Sequence, residues 1–255
     1  MYHETTRETL IRTYRIPEDY HAIDAAILLG EWNPALGLAR WRERLSEIIF
    51  PFPFHNLIFG KRDRGRIAFG IAYGATFAAD MARFCQLMGA RRIIQIGYFG
   101  GLQPHMRRAD LLVPTEAIRQ DGASDAYLPA ETRLLASQSL CARLSAVAST
   151  EGARVHQLPQ LTIAGGILSE TREQIAEWSA RGYGGVDLET AATFAIAHRY
   201  GLEYAAILMC SDVVVESDTL FNPHTDDDAR ARYERCRKIM EETALAAACE
   251  ASTEP

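Results

Sequence analysis

Three acidic residues lie at or just after the ends of apolar or amphipathic segments, where a carboxylate could take part in chemistry. Glu31 follows the apolar run 25–29. Asp212 follows the run 204–210, and Glu189 begins a helical pattern. Carboxyl groups can donate or accept protons and can stabilise positive charge that develops on a substrate. Each residue also has a structural interpretation, because acidic residues favour helix N-termini and Asp often forms turns after strands.

The elements that would position these carboxyl groups are short apolar strands alternating with helices. Apolar runs that suit buried strands are 25–29, 67–73, 93–96, 111–113, 160–163 and 204–210. Apolar residues at helical spacing predict helices over 76–88, 188–196 and about 226–248. The alternation predicts one α/β domain over 1–255, with a core of about 24–250. Its central sheet should be twisted and mostly parallel, with helices on both faces.

In a sheet of this kind, ligands bind outside the carboxyl ends of the strands. The relevant strand ends are therefore 29–32, 96–101 and 209–212. Glycine-bounded turns after strands face the ligand cleft, so Trp32 and Tyr98 are expected in the wall of a pocket. Pocket wall and core packing are equally good interpretations of Phe99.

Composition restricts the partners. The 255 residues are 48% hydrophobic and 24% charged, with a net charge of −6 and scattered arginines. We therefore expect a cytoplasmic protein that binds a small molecule, without a membrane span or a nucleic-acid partner. The five cysteines are far apart and form no zinc-ligand pattern, so reduced thiols and no metal are expected. Nothing indicates a cofactor.

Two long segments carry a resemblance to a known family. Residues 93–124 are similar to the central motif of purine nucleoside and uridine phosphorylases: a strand, a Gly-x-x-Gly-Gly turn, a second strand and an Asp-Gly-x-Ser loop. Residues 185–212 are similar to that family's other signature, an acidic Val-Glu-Met-Glu-like turn, a helix and a strand ending in Ser-Asp. The likeness covers most of 24–250, so the chain is identified as a member of the nucleoside phosphorylase and nucleosidase superfamily.

The resemblance implies cleavage of the N-glycosidic bond of a purine-like nucleoside. By its motifs, Asp212 would protonate the departing base and Glu189 would hold the ribose hydroxyls. Leu188 would form an apolar floor under the sugar. The expected substrate-binding residues are Glu189, Leu188, Gly97, Tyr98, Phe99, Gly100, Ser211, Trp32, Thr76 and Arg172.

The sequence departs from the family where phosphate should bind. The family's Gly-Asp-Pro motif, followed shortly by Arg, is replaced by Gly30, Glu31 and Trp32. The arginine two residues before the central glycine is Gln95 here, and Tyr98 replaces a small hydroxyl residue. Bidentate arginines are the side chains best suited to phosphate, so the expected anion site is missing.

Other residues at altered positions leave alternatives open. Arg62, Arg64 and Arg66 could replace the missing arginines, although a solvated hairpin is the simpler interpretation of their segment. Arg172 takes the place of the phenylalanine that stacks on the base, and it could stack or lie on the surface.

Three functions are consistent with these residues. We favour hydrolysis, with Glu31 orienting water as in the related methylthioadenosine/S-adenosylhomocysteine nucleosidases. The alternatives are phosphorolysis with a rebuilt phosphate site, and nucleoside binding or storage without turnover. Relatives complete each pocket with a neighbour's segment, so a homodimer or a ring of dimers is expected, with the loop 51–55 reaching the neighbour.

Overall fold

A computed structural model describes residues 2–51, 55–222 and 226–250, apart from the side chain of residue 3. Its helices are α1 (Arg7–Tyr14), α2 (Pro34–Arg42), α3 (Ala75–Leu87), α4 (Gln138–Thr150), α5 (Arg172–Ala180), α6 (Thr190–Arg199) and α7 (Asp227–Cys249). Its strands are β1 (Ala25–Gly30), β2 (Ser46–Ile49), β3 (Leu57–Arg62), β4 (Gly65–Ala72), β5 (Arg92–Gly101), β6 (Leu111–Leu112), β7 (Glu116–Gln120), β8 (Leu134–Leu135), β9 (Val155–His156), β10 (Gln160–Ile163), β11 (Gly185–Asp187) and β12 (Glu203–Asp212).

The centre of the sheet is parallel. Strands β4, β1, β5 and β12 lie side by side in that order, with Gly30 of β1 opposite Gly97 of β5. Near its end β5 also pairs antiparallel with β11, where Gly100 is opposite Val186. The carboxyl ends of β1, β5 and β12 therefore meet at one edge, called the carboxyl edge below, and a ligand site is expected there.

Helices cover both faces of this sheet because its strands are apolar on both sides. Alternate side chains of a strand point to opposite faces. Accordingly, Leu28 packs in one cluster with Phe194 of α6, and Ile27 packs in another with Met240 of α7. Full burial of such a side chain stabilises the fold by about 1.5–3 kcal/mol.

The predicted α/β class is confirmed, and the sheet is mixed. Antiparallel pairs form at its margins, between β2 and β3, β3 and β4, and β7 and β8. Of the predicted helices, 226–248 is close to α7, which begins where Asp226 accepts a hydrogen bond from the Ala229 backbone at 2.6 Å. Among the described residues, no helix combines the length and apolar character needed to cross a membrane.

Several elements have no counterpart in the sequence-based prediction. They include α1, α2, α4, α5 and strands β2 and β3, whereas the predicted run 67–73 corresponds to β4. The patterns of α1, α2 and α5 are weak because each buries only one or two residues, in α5 only Trp178. Short half-exposed elements give little periodic signal, so tertiary packing determines them.

Candidate active site

A cavity of about 590 Å³ opens at the carboxyl edge, between the strand ends and helices α2, α5 and α7. The predicted site residues that line it are Glu31, Trp32, Tyr98, Phe99, Gly100, Arg172, Leu188, Glu189, Ser211 and Asp212. These residues are distant in sequence and are brought together because β1, β5 and β12 end at the same edge and β11 pairs antiparallel with the end of β5.

Two predicted site residues do not line the cavity. Thr76 is exposed on the first turn of α3, two residues beyond Gly74. Tyr73 and Gly74, just before α3, are in the site instead. Gly97 lies within β5, where a Cβ would be 3.2 Å from the Gly30 backbone, so its glycine permits close contact between two strands.

Glu189 is a buried carboxyl group in the cavity wall. It is the N-cap residue of α6 and is only 5% exposed. Its Oε1 accepts a hydrogen bond from the Gly74 backbone at 2.7 Å. A Cβ on Gly30 would lie 2.5 Å from Oε2, so the carboxyl group occupies the space that glycine leaves. Burial, followed by the charge of Asp187, raises the pKa of Glu189.

Asp187 is a second buried carboxyl group next to Glu189, and the sequence prediction did not include it. Its Oδ1 accepts from the Thr162 hydroxyl at 2.6 Å, and its Oδ2 accepts from the Thr190 backbone at 3.3 Å and from the Thr190 hydroxyl. Burial raises the pKa of Asp187 despite these hydrogen bonds. Because threonines hold Asp187, Glu189 is the carboxyl group of this pair with an oxygen left for a ligand.

Asp212 ends β12, just after a bulge between Cys210 and Asp212. The Ser211 hydroxyl lies within hydrogen-bonding distance of Asp212 Oδ1 and is 3.1 Å from the Phe99 carbonyl oxygen. Burial raises the pKa of Asp212, while the Ser211 hydrogen bond and the nearby Arg108 oppose that change. A carboxyl group in this environment keeps its proton to a higher pH than an exposed aspartic acid does.

Another part of the cavity wall carries paired charges. Glu31 Oε2 is 2.9 Å from Arg40 Nη2, and Arg40 Nε is 2.9 Å from Oε1 of the fully buried Glu241. Arg237 also lines the cavity; its Nη1 lies 3.5 Å from Glu241 Oε1, and its Nη2 pairs with Glu234. We call Glu31, Arg40, Arg237 and Glu241 the charged wall.

The charged wall corrects the expectation that the site lacks arginines. Arg40 comes from α2 and Arg237 from α7, elements outside the motifs that suggested the site. By contrast, Arg62 and Arg66 belong to the β3–β4 hairpin, and Arg66 pairs with Asp24 at 3.0 Å; neither they nor Arg64 line the cavity. A sequence signal did exist for Arg237, since Glu234, Arg237 and Glu241 share one face of a helix by their spacing.

Residues before and within α5 close a further side of the cavity. Glu170 and Arg172 both line it, together with the apolar Ile167 and Ile175. Burial, and to a lesser degree Asp212, raises the pKa of Glu170 to about 7. Sequence reasoning singled out Arg172 alone, because an acidic residue beside a helix N-terminus has an ordinary structural role.

Aromatic side chains complete the cavity. Trp32 and Tyr73 form a tilted contact with ring centroids 6.4 Å apart, and both are exposed, Trp32 by 59%. Tyr98 stacks parallel to Tyr233 of α7 at 6.3 Å. Phe99 is almost fully buried and belongs to the core as well as to the cavity lining. The described part of the site therefore combines apolar surfaces with a few charged groups, as small-molecule pockets usually do.

The family model described as the phosphorylase superfamily matches residues 63–249. Uridine phosphorylase of Klebsiella aerogenes is 29% identical over 128 residues, which are 45% of this chain and 51% of the relative. Guanosine phosphorylase of Halorubrum lacusprofundi is 25% identical over 134 residues, which are 52% of this chain and 55% of the relative. The chain thus spans about half the length of these curated relatives.

The fold is also similar to a solved structure. Uridine phosphorylase from Vibrio fischeri ES114 matches with a TM-score of 0.76 and 21% sequence identity. The match covers 90% of this chain and 96% of that one. At this identity the likeness concerns the arrangement of strands and helices.

Proposed function

The chain belongs to the phosphorylase superfamily, and from this we propose that it cleaves the N-glycosidic bond of a purine-like nucleoside with phosphate as the nucleophile. One observation carries the proposal: two buried carboxyl groups, Glu189 and Asp212, face the same cavity at the carboxyl edge. Breaking this bond leaves positive charge on the sugar and requires a proton on the departing base. Of two carboxyl groups in different environments, one can stabilise the charge on the sugar and the other can donate the proton to the base.

Asp212 is the proposed proton donor. Its raised pKa favours the protonated form, and the Ser211 hydroxyl orients one carboxyl oxygen. The neutral acid can give its proton to a base nitrogen as the glycosidic bond lengthens. A purine-like base suits this step because its ring nitrogens can accept that proton.

Glu189 is the proposed ribose ligand. The Gly74 backbone fixes Oε1, which leaves Oε2 for the sugar hydroxyls. Leu188 lies in the same cavity wall and offers an apolar surface next to the sugar. In its ionised form, Glu189 would also stabilise the positive charge of the oxocarbenium-like transition state.

Arg40 and Arg237 are the proposed phosphate ligands. Both line the cavity, and guanidinium groups bind phosphate oxygens through paired hydrogen bonds. Their present partners are carboxylates, so phosphate would have to compete with Glu31 for Arg40. The relatives identified by sequence are phosphorylases, which also favours phosphate.

The sequence-based preference for hydrolysis is not supported. A carboxylate that activates water should be available to accept a proton, whereas Glu31 is ion-paired to Arg40 at 2.9 Å. Hydrolysis is kept as a second candidate because Glu31 does face the cavity.

The test is a product assay. The protein is incubated with a panel of nucleosides at fixed pH, with and without phosphate, and the free base and sugar product are identified. We expect pentose 1-phosphate, formed at a rate that rises and saturates with phosphate. Free pentose formed equally fast without phosphate would indicate hydrolysis, and no cleavage across the panel would contradict the proposal.

We also propose that the chain acts as a homodimer or a ring of dimers. The exposed apolar side chains Trp32, Leu168 and Phe221, exposed by 59%, 84% and 70%, support an interface at the cavity mouth. Of the loop 51–55 that was expected to reach the neighbour, residues 52–54 lie outside the described residues. A sedimentation mass equal to a single chain at micromolar concentration would contradict this assembly.

A further inference from the structure

Glu170 is a cavity-lining carboxylate with no side-chain partner. Among the residues that the structure describes, its side chain makes no hydrogen bond and no ion pair, and it is only half-buried. By contrast, Glu31, Glu189 and Asp212 each have a polar partner. A carboxylate removed from water without a partner is unfavourable, so a bound ligand that donates a hydrogen bond to it would gain affinity.

The position of Glu170 indicates which part of a bound nucleoside would contact its side chain. Glu170 is close enough to Asp212 for the two charges to interact. Asp212 is the proposed proton donor to the base, so Glu170 faces the base and not the sugar. The apolar Ile167 and Ile175 line the same side of the cavity and suit the faces of a planar ring.

We propose that Glu170 selects nucleosides whose base carries an exocyclic amino group over those with a carbonyl group at the same position. This inference rests on the proposed function. An ionised carboxylate only accepts hydrogen bonds. An amino group donates to it, whereas a carbonyl oxygen would place two acceptors against each other. Sites built around such a pairing discriminate strongly, because the wrong substrate leaves a desolvated group unpaired.

The discrimination should depend on pH. Burial and Asp212 raise the pKa of Glu170 to about 7. Above that pH the carboxylate accepts only, and below it the protonated carboxyl can donate to a carbonyl oxygen. The preference for amino bases should therefore grow as pH rises through about 7. The other titratable or charged side chains around Glu170 are Tyr73 and Arg172 of α5. Burial, together with the charges of Glu189 and Glu170, raises the pKa of Tyr73.

The experiment compares bases that differ in one exocyclic group and in the hydrogen on the adjacent ring nitrogen. Adenine with hypoxanthine, and cytosine with uracil, exchange an amino group for a carbonyl group, and the carbonyl member carries that hydrogen. Binding of the free bases is measured by calorimetry at pH 6 and pH 8, and kcat/KM is measured for the matching nucleosides. Three proteins are compared: the unaltered protein, Glu170→Gln, and Glu173→Gln as the control. Glu173 is three residues further along the chain, exposed in the first turn of α5.

At pH 8 we expect the unaltered protein and Glu173→Gln to prefer the amino member by about tenfold or more. The preference should shrink at pH 6. In Glu170→Gln it should fall at least severalfold and lose its dependence on pH, because an amide can donate to a carbonyl and does not titrate. Thermal unfolding curves establish that the variants are folded.

The inference is overturned if Glu170→Gln keeps the preference and pH dependence of the unaltered protein, or if the unaltered protein binds both members of each pair equally. Base binding does not need turnover. Loss of cleavage with intact base preference would therefore count against the proposed function alone.

Discussion

The two sides of the cavity hold their charges in different ways. Glu189 and Asp212 sit at or next to strand ends, with backbone or neighbouring hydroxyl groups as partners. The charged wall consists of Glu31, Arg40, Arg237 and Glu241. These side chains form ion pairs mainly with one another, and the Arg40–Glu241 pair joins α2 to α7. The strand-end side is fixed by the sheet, whereas the charged wall can exchange one ionic partner for another. This difference suits a fixed sugar and base on one side and an incoming anion on the other.

The strongest test of the strand-end side is Asp212→Asn. The amide keeps the size of the side chain but cannot donate an acidic proton, so kcat for a purine-like nucleoside should fall by about 10²- to 10⁴-fold. Steady-state kinetics measure the loss, and isothermal calorimetry should show nearly unchanged nucleoside binding. Asp228→Asn, at the exposed start of α7, is the matched control. Equal turnover in Asp212→Asn and the control would remove Asp212 from the chemistry.

The rigidity of the sugar side can be tested with Gly30→Ala. The new Cβ would lie 2.5 Å from Glu189 Oε2, so the carboxyl group must move. A displacement of about 1 Å in a positioned group can cost about 10²-fold, and we expect a loss of about 10- to 100-fold in kcat. Gly65→Ala serves as control, because its Cβ would lie 3.5 Å from its nearest neighbouring atoms, at ordinary van der Waals distance. If both variants are equally active, the sugar side is less constrained than the structure indicates.

The same difference explains what the sequence could predict. Glu189 and Asp212 were identifiable because short contiguous motifs place them at or just after strand ends, and the pairing of β11 and β12 with β5 then brings them together. Arg40 was not, because its pairing with Glu241 joins residues 201 positions apart in sequence. Arg237 pairs with Glu241 four residues away, but its position in the cavity depends on how α7 packs. Packing of helices against the sheet decides such contacts, and no local pattern encodes it.

Smaller discrepancies have similar causes. Thr76 was expected in the site, but α3 begins at Ala75 and the Thr76 side chain is exposed to solvent. The contact with Glu189 comes instead from the backbone N–H of Gly74. Backbone donors carry no residue-type signal. Glu170 was overlooked because its significance depends on burial beside Asp212, which the fold creates.

Ser211→Ala tests a smaller effect on the strand-end side. The Ser211 hydrogen bond lowers the pKa of Asp212, so its removal should raise that pKa further. The activity that depends on protonated Asp212 should then persist to higher pH, with kcat changed by only about two- to tenfold. The pH profile of kcat measures this shift. A shift towards lower pH would contradict the role of Ser211.

The most direct test of the account is the dependence of the rate on phosphate in Glu31→Gln. If phosphate binds at the charged wall, the variant removes a competing negative charge and frees Arg40. Like charges a few ångströms apart repel by about 1 kcal/mol even in water, so KM for phosphate should fall by about fivefold or more, with pentose 1-phosphate still the product. If Glu31 instead activates water, the variant should lose turnover while phosphate has no effect. A slower, phosphate-independent reaction that releases free pentose would contradict the account.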